Sequence, residues 1–277
     1  MKKRLQEILL RTRRQLLLWR RGQQPSPFAG EGLDFREVRP YTLDDDIRHL
    51  NWKSMARSRQ PMVNLFNESR QIHVVAVYLN SGGLAVGSPR SKKDQAVELI
   101  TALSFAALEG EDPVGALFFD EELRALHPPA LRRIEVDRNF EAATGLDPLG
   151  RQVDYKVLTE TLQRRIKRRS LIFLIGDFMD RPELAALAAR HELRCLVLRD
   201  PLDEDLPVGE FRVADARSGR SEPWVIDRGT SRRYRELVRR HDAELAENFR
   251  RHRIAWEKIY THDDAVKKLI DFTRREA

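Results

Sequence analysis

Residues 71–119 read QIHVVAVYLNSGGLAVGSPRSKKDQAVELITALSFAALEGEDPVGALFF. The run 72–79 is apolar apart from His73, the pattern of a strand buried on both faces. Ser91 is placed to cap a helix running to Gly110, with Ala96, Val97, Leu99, Ile100, Leu103, Ala106 and Ala107 as its apolar stripe. A second apolar strand follows at 114–119. Strand, turn, helix and strand in that order predict a parallel pair joined by a crossover helix.

The same alternation continues towards the C-terminus. Residues 123–126 read as a short edge strand, 155–169 as a helix ending in basic residues, and 171–175 as a buried strand before Gly176-Asp177-Phe178. A helix is predicted over 181–191, opened by Pro182, and a strand over 193–198. Residues 211–213 and 224–226 suggest a β excursion around Ser218-Gly219. A charged helix over 231–252, a strand over 254–260 and a helix over 263–275 complete the chain. The expected fold is α/β, a mostly parallel sheet with helices on both faces. Ligands of such folds bind beyond the carboxyl ends of the strands, so the loops 79–89, 120–122 and 176–181 are the ones to inspect.

Two segments precede this domain (71–277). Residues 2–21 carry eight Lys or Arg and one acid, Glu7, with Leu5, Ile8, Leu9, Leu16 and Trp19 near one face. This predicts a basic amphipathic helix, residues 1–21. Packing on its own domain is the preferred reading, and weak contact with an anionic membrane surface is the alternative. Residues 22–70 form an irregular or β extension in which Phe28, Phe35, Tyr41, Trp52 and Phe66 interleave dense charge. Its Asp44-Asp45-Asp46 is read as pairing with Arg48 and Arg57 and capping turns, because neighbours on an extended chain point to opposite faces.

Composition bounds the function. Of 277 residues, 41% are hydrophobic and 8% aromatic, enough for a packed core despite 34% charged residues. The net charge of +7 permits an anionic partner without requiring one. One cysteine, Cys195, within an apolar run, reads as a buried thiol and fits a reducing compartment. With no run near 20 apolar residues and no signal-peptide core, the chain reads as cytoplasmic. Its seven His are scattered without metal-ligand spacing, and neither a phosphate-binding Gly-rich loop nor a Gly-x-Ser-x-Gly elbow is present. Arg232, Arg235 and Arg239 share a helix face, but Glu236, Asp242, Glu244 and Glu247 share the helix, which favours a salt-bridged face over nucleic-acid binding.

The segment 20–70 carries Ser26-Pro27-Phe28, Gly30, Gly32, Phe35, Arg39, Tyr41, Asp45-Asp46, Arg48, Trp52, Ala56 and Arg57. This signature resembles the bacterial family called "domain of unknown function 58". The usual central form is Tyr-x-x-Gly-Asp-Asp-x-Arg-x-Ile-Asp-Trp-x-x-x-Ala-Arg. Here Asp44, Leu50 and Asn51 replace its Gly, its Ile and its later Asp. The resemblance implies a von Willebrand factor A-like (Rossmann-like) fold and partnership with a MoxR-type AAA+ ATPase. Within it, Arg39, Tyr41, Asp45, Asp46, Arg48, Trp52 and Arg57 are expected to be structural.

Many domains of that fold carry a metal-ion-dependent adhesion site: Asp-x-Ser-x-Ser on a first loop, Thr on a second and Asp on a third. Mg²⁺ asks for octahedral hard oxygens at about 2.1 Å, which such residues supply. Here the first-loop positions fall on Tyr78, Asn80 and Gly82, or, shifted by two, on Asn80, Gly82 and Leu84. The Thr position falls on Val153, and the third-loop acid survives as Asp177. Loss of the Mg²⁺ site is therefore expected, with Ser81 and Asp154 as the residues able to restore it. The expectation is a non-catalytic interaction module without a cofactor, contacting its partner through Asn80, Ser81 and Asp177. The alternative is a metal-dependent binder or enzyme using Asp177 with Asp44–Asp46.

Overall fold

The computed structural model describes residues 2–20, 34–42, 50–58, 60–67, 71–216 and 220–276. In chain order the first elements are α1 (Lys2–Arg20), β1 (Asp34–Pro40), α2 (Trp52–Ser58), β2 (Met62–Asn67) and β3 (His73–Leu79). Then come α3 (Lys92–Glu109), β4 (Val114–Phe119), β5 (Leu123–Ala130), α4 (Ile134–Gly145), α5 (Tyr155–Arg165) and β6 (Ser170–Gly176). The remainder is α6 (Ala185–Ala188), β7 (Glu192–Arg199), α7 (Pro201–Glu204), β8 (Gly209–Ala214), β9 (Ser221–Ile226), α8 (Arg228–Arg251), β10 (Ala255–Tyr260) and α9 (Ala265–Arg275).

Six strands form the central sheet in the order β10-β7-β6-β3-β4-β5. All neighbours run parallel except the edge strand β5, antiparallel to β4. Along β3 the two-residue period sorts side chains between two cores. Val74, Ala76 and Tyr78 face α1, α3, α4 and α9, whereas Val75, Val77 and Leu79 face α5, α6 and α8. Both faces are covered, as the continuous apolar runs require. Cys195 is fully buried in β7, and burial pushes its thiol well above the ordinary range, so it is packed rather than reactive.

Crossover α3 starts where expected. Ser91 accepts from Asp94 N while Asp94 reaches back to the Ser91 amide, a reciprocal cap. It is buried on every side, including Gln95, Glu98, Thr101 and Ser104. Its faces turned from the sheet are covered by α1, which lies across α3 and α9 with Ile8, Thr12 and Leu16 buried, and by α4, whose Asn139 donates to Ser104 Oγ at 3.0 Å. Arg11 pairs with Glu98 at 2.7 Å and with Asp264 at 3.1 Å, and Arg4 pairs with Asp94 at 2.7 Å. The helix packs on its own domain.

Several expectations need correction. The helix over 181–191 shrinks to Ala185–Ala188, where Leu187 is its one fully buried residue and Ala185, Ala186 and Ala189 face solvent. The helix expected over 155–169 ends at Arg165, and Ile166 turns into the core instead. The short edge strand extends to Ala130. Helix α4 was not expected; Val136, Phe140 and Ala143 bury its inner face. The β excursion is present, with β8 and β9 antiparallel and Phe211 opposite Trp224.

In the extension, β1 and β2 pair antiparallel, with Arg39 opposite Val63. The expectation of irregular or β structure misses α2, where Asn51 Oδ1 accepts from Ser54 N at 2.8 Å. Arg39 donates to Pro40 O at 3.0 Å, and Tyr41 N donates to Pro61 O at 2.9 Å. Both bonds are local to the extension. Trp52 is 66% exposed, which a packing role does not explain. Asp44, Asp45, Asp46 and Arg48 lie outside the described residues.

Candidate functional site

At the carboxyl ends of β3, β4 and β6 the chain leaves the sheet through three loops that touch. Asn80 N donates to Phe119 O at 2.7 Å, extending the β3–β4 ladder by one residue. The Asn80 amide nitrogen donates to Asp120 Oδ2 at 3.3 Å and to Asp147 O at 3.2 Å. Gly82 N donates to Arg151 O at 2.8 Å, fastening a short turn of 3₁₀ helix, Gly82–Ala85, to the loop before α5.

Asp120 is fully buried, with Arg124 Nε 2.7 Å and 2.8 Å from its two oxygens and Glu122 N donating at 3.2 Å. Burial by itself raises its carboxyl pKa. The Arg124 guanidinium, the Glu122 amide and Asn80 outweigh that and hold it below the usual carboxylate range. Asp120 is thus a fixed anion that orients Asn80.

Asp177 enters from β6. A Cβ at Gly83 would lie 1.9 Å from Asp177 Oδ2, so the carboxylate occupies the space that this glycine leaves open. Its backbone oxygen accepts from Arg199, a fully buried residue at the end of β7. Arg199 also donates to Asp242 at 2.9 Å. Phe178 follows with φ +49°, the left-handed region that a bulky residue occupies only when its surroundings impose it. His241 Nε2 donates to Phe178 O at 2.8 Å, which helps to impose it.

The structure therefore brings Asn80 and Asp177 onto one rim, with Ser81 beside them. Tyr78 Oη, Asn80 Oδ1 and Ser81 Oγ are buried without a hydrogen-bond partner. Burial lifts the Tyr78 phenol above its ordinary pKa, and the charges of Asp94 and Asp177 lift it further. These oxygens do not fit the donor set of an adhesion-site Mg²⁺. Asp177 is one carboxylate, Asn80 is neutral, and Asp120 is taken by Arg124. A Cβ at Gly82 would lie 2.2 Å from Ala216 O, so a backbone carbonyl fills the space a side chain there would need. Asp154 caps α5, accepting from Lys156 N and Val157 N at 3.0 Å each. Among the described residues no group of three or more His, Cys, Asp or Glu is placed to hold a metal ion.

Two residues of the rim escape sequence reasoning. Asp120 falls in a loop flagged for inspection but is not singled out. Arg199 closes the apolar run LRCLVLR, and a charge ending such a strand is the signal that could have found it.

The model of the family "Protein of unknown function DUF58" matches residues 37–244. The chain belongs to the DUF58 family. The uncharacterized protein Rv1480 of Mycobacterium tuberculosis is 29% identical over 230 residues, covering 80% of this chain and 72% of that one. Two solved structures are similar at low identity. The conserved hypothetical protein BatB from Bacteroides thetaiotaomicron matches with TM-score 0.47 and 16% identity over 74% of this chain and 98% of its own. The SpRpn10 VWA domain matches with TM-score 0.38 and 9% identity over 73% and 94%. The order of the six-stranded sheet, with its antiparallel edge β5, is the von Willebrand factor A-like architecture that the DUF58 signature implies.

Proposed function

We propose that this DUF58 chain is a non-catalytic docking module whose rim of Asn80, Ser81 and Asp177 contacts a protein partner directly, without a bridging divalent ion. The partner is a MoxR-type AAA+ ATPase, for which the chain serves as an adaptor or delivers substrates. The ATPase comes from the family resemblance. The contact mode rests on the geometry. One observation carries it: the Asp177 carboxylate is seated on Gly83 at the carboxyl edge of the sheet, on loops tied together through Asp120 and Arg151.

Co-expression with a MoxR-type ATPase from the same organism, followed by affinity capture of the full chain, tests this. The wild type is expected to retain the ATPase. Asp177→Ala and Ser81→Ala, melting like the wild type, are expected to weaken retention by about tenfold or more, as for central interface residues. Undiminished retention by both variants contradicts the proposal, as does substrate turnover by the purified chain.

A further inference from the structure

Building on the docking role proposed for the rim, and resting on it, we infer that a hollow beside the rim takes a basic side chain, Arg or Lys, of the docking partner. The hollow lies between the loop after β4, the start of α5 and the loop after β6. It has a volume of about 430 Å³, and Glu121, Asp154, Tyr155, Lys156, Asp180 and Glu183 line it. Its walls are tied to one another. Gln152 N donates to Glu121 Oε1 at 2.9 Å, Asp154 N to Asp120 O at 3.2 Å, and Thr159 Oγ1 to Glu183 O at 2.9 Å. Walls fixed in this way lose little freedom when a ligand enters. Tyr155 points to such a ligand. It is 6% exposed, and its ring stacks on Phe178, the residue after Asp177, with centroids 6.2 Å apart. Its hydroxyl has no hydrogen-bond partner among the described residues and, unlike that of Tyr78, is not sealed from the surface. It therefore faces the hollow that Tyr155 lines. Burial raises the phenol's pKa, and the charges of Asp177 and Asp180 raise it further. The same negative field attracts a cation.

The charge of the walls selects the ligand. The chain carries a net +7, yet the loops 120–122 and 177–183 hold six carboxylates and one cation, Arg181. Arg181 is held by Glu244 of α8, 2.5 Å away. Asp120 is taken by Arg124, but Glu121 is met only loosely, by Arg124 at 3.7 Å and Arg151 at 4.0 Å. The positive end of α5 is answered by Asp154, which accepts from Lys156 N and Val157 N. An acid-rich wall beside a hydroxyl that can accept a hydrogen bond complements an ammonium or guanidinium, and it repels phosphates. A metal ion fits less well. The carboxylates are spread around the hollow, and among the described residues no group of three or more His, Cys, Asp or Glu is placed to hold one.

The probe is a blocked hexa-arginine peptide titrated into the full chain, with a hexaglutamate peptide and Mg²⁺ as comparators. The arginine peptide is expected to bind, more weakly as salt rises, and the glutamate peptide is not. Tyr155→Phe is expected to weaken binding by about tenfold, the loss of one hydrogen bond to a charge. Glu183→Gln is expected to weaken it by about threefold. Glu222→Gln, at an exposed acid of β9 that does not line the hollow, should leave it unchanged. Phe keeps the ring against Phe178, and Glu183 is exposed, so both hollow variants should melt like the wild type. No binding of the arginine peptide, binding indifferent to both hollow variants, or an equal loss in Glu222→Gln overturns the inference. So does displacement of the peptide by Mg²⁺ at matched ionic strength. The assay contains no ATPase, so if it fails while capture of the ATPase succeeds, the basic ligand falls and the rim stands.

Discussion

Lys92→Met is expected to lower the unfolding free energy by about 3–5 kcal/mol, the cost of leaving half of a buried ion pair behind. Lys92 is buried in the first turn of α3, where the helix dipole disfavours a cation. It is held because its ammonium lies 2.9 Å and 2.6 Å from the two oxygens of buried Asp203. Asp203 also accepts from Asp200 N at 2.7 Å, and Asp200 in turn accepts from Ser88 N at 3.1 Å and Thr261 Oγ1 at 2.6 Å. The pair thus ties α3 to α7, to the loop after β3 and to the end of β10. Denaturant unfolding of Lys92→Met, Asp203→Leu and the double variant checks this. The double variant should lose clearly less than the sum of the two single losses, because neither charge is then stranded. Additive losses would mean that the pair is not coupled.

Arg199→Leu is expected to cost a similar amount, about 3–5 kcal/mol, and to loosen the Asp177 turn. The guanidinium is fully buried and donates to Asp177 O, to Leu198 O at 3.2 Å and to Asp242 at 2.9 Å. Without it two carbonyls lose a donor, while Asp242 keeps only Lys258, at 2.6 Å. The variant should also change the acid limb of stability. Burial raises the Asp242 carboxyl, but Lys258 and Arg199 more than offset this and hold it below the ordinary carboxylate range. A carboxyl depressed in the fold lends stability above its unfolded pKa, and that stability drains away as the pH falls below about 4. Loss of Arg199 should shrink this part of the acid dependence. An unfolding curve with the wild-type acid limb, or a loss below about 1 kcal/mol, would mean that Arg199 is dispensable to the turn.

The sheet was legible because its strands are buried on both faces. Runs such as 72–79, 114–119 and 193–198 cannot be half-solvated, and the capped crossover at Ser91 fixes their parallel sense. What escaped depends on contacts distant in sequence. Nothing near Glu98 says that it is buried; Arg11, on a helix 87 residues earlier, covers it. Helix α4 was hidden by charge, because Glu135, Asp137 and Arg138 crowd its apolar positions and no cap residue opens it. Pro182 gave a start signal for a long helix, but within 185–189 only Leu187 is buried, too small an apolar face to hold one.

The rim was legible in the same uneven way. Asn80, Ser81 and Asp177 could be read as strand-end residues of a known loop pattern. That Asp120 would be a fixed anion was not readable, since its partners Asn80 and Arg124 come from different strands. Nor was the role of Arg199, which grips a backbone oxygen 22 residues away. The carbonyl of Ala216 over Gly82 belongs to a ribbon more than a hundred residues downstream.

Calorimetric titration of Mg²⁺ and Mn²⁺ into the full chain tests the central claim, a rim that binds its partner without a cation. No stoichiometric binding is expected at millimolar metal, and Asp177→Ala should give the same trace as the wild type. One-to-one binding of either ion that disappears in Asp177→Ala would contradict it.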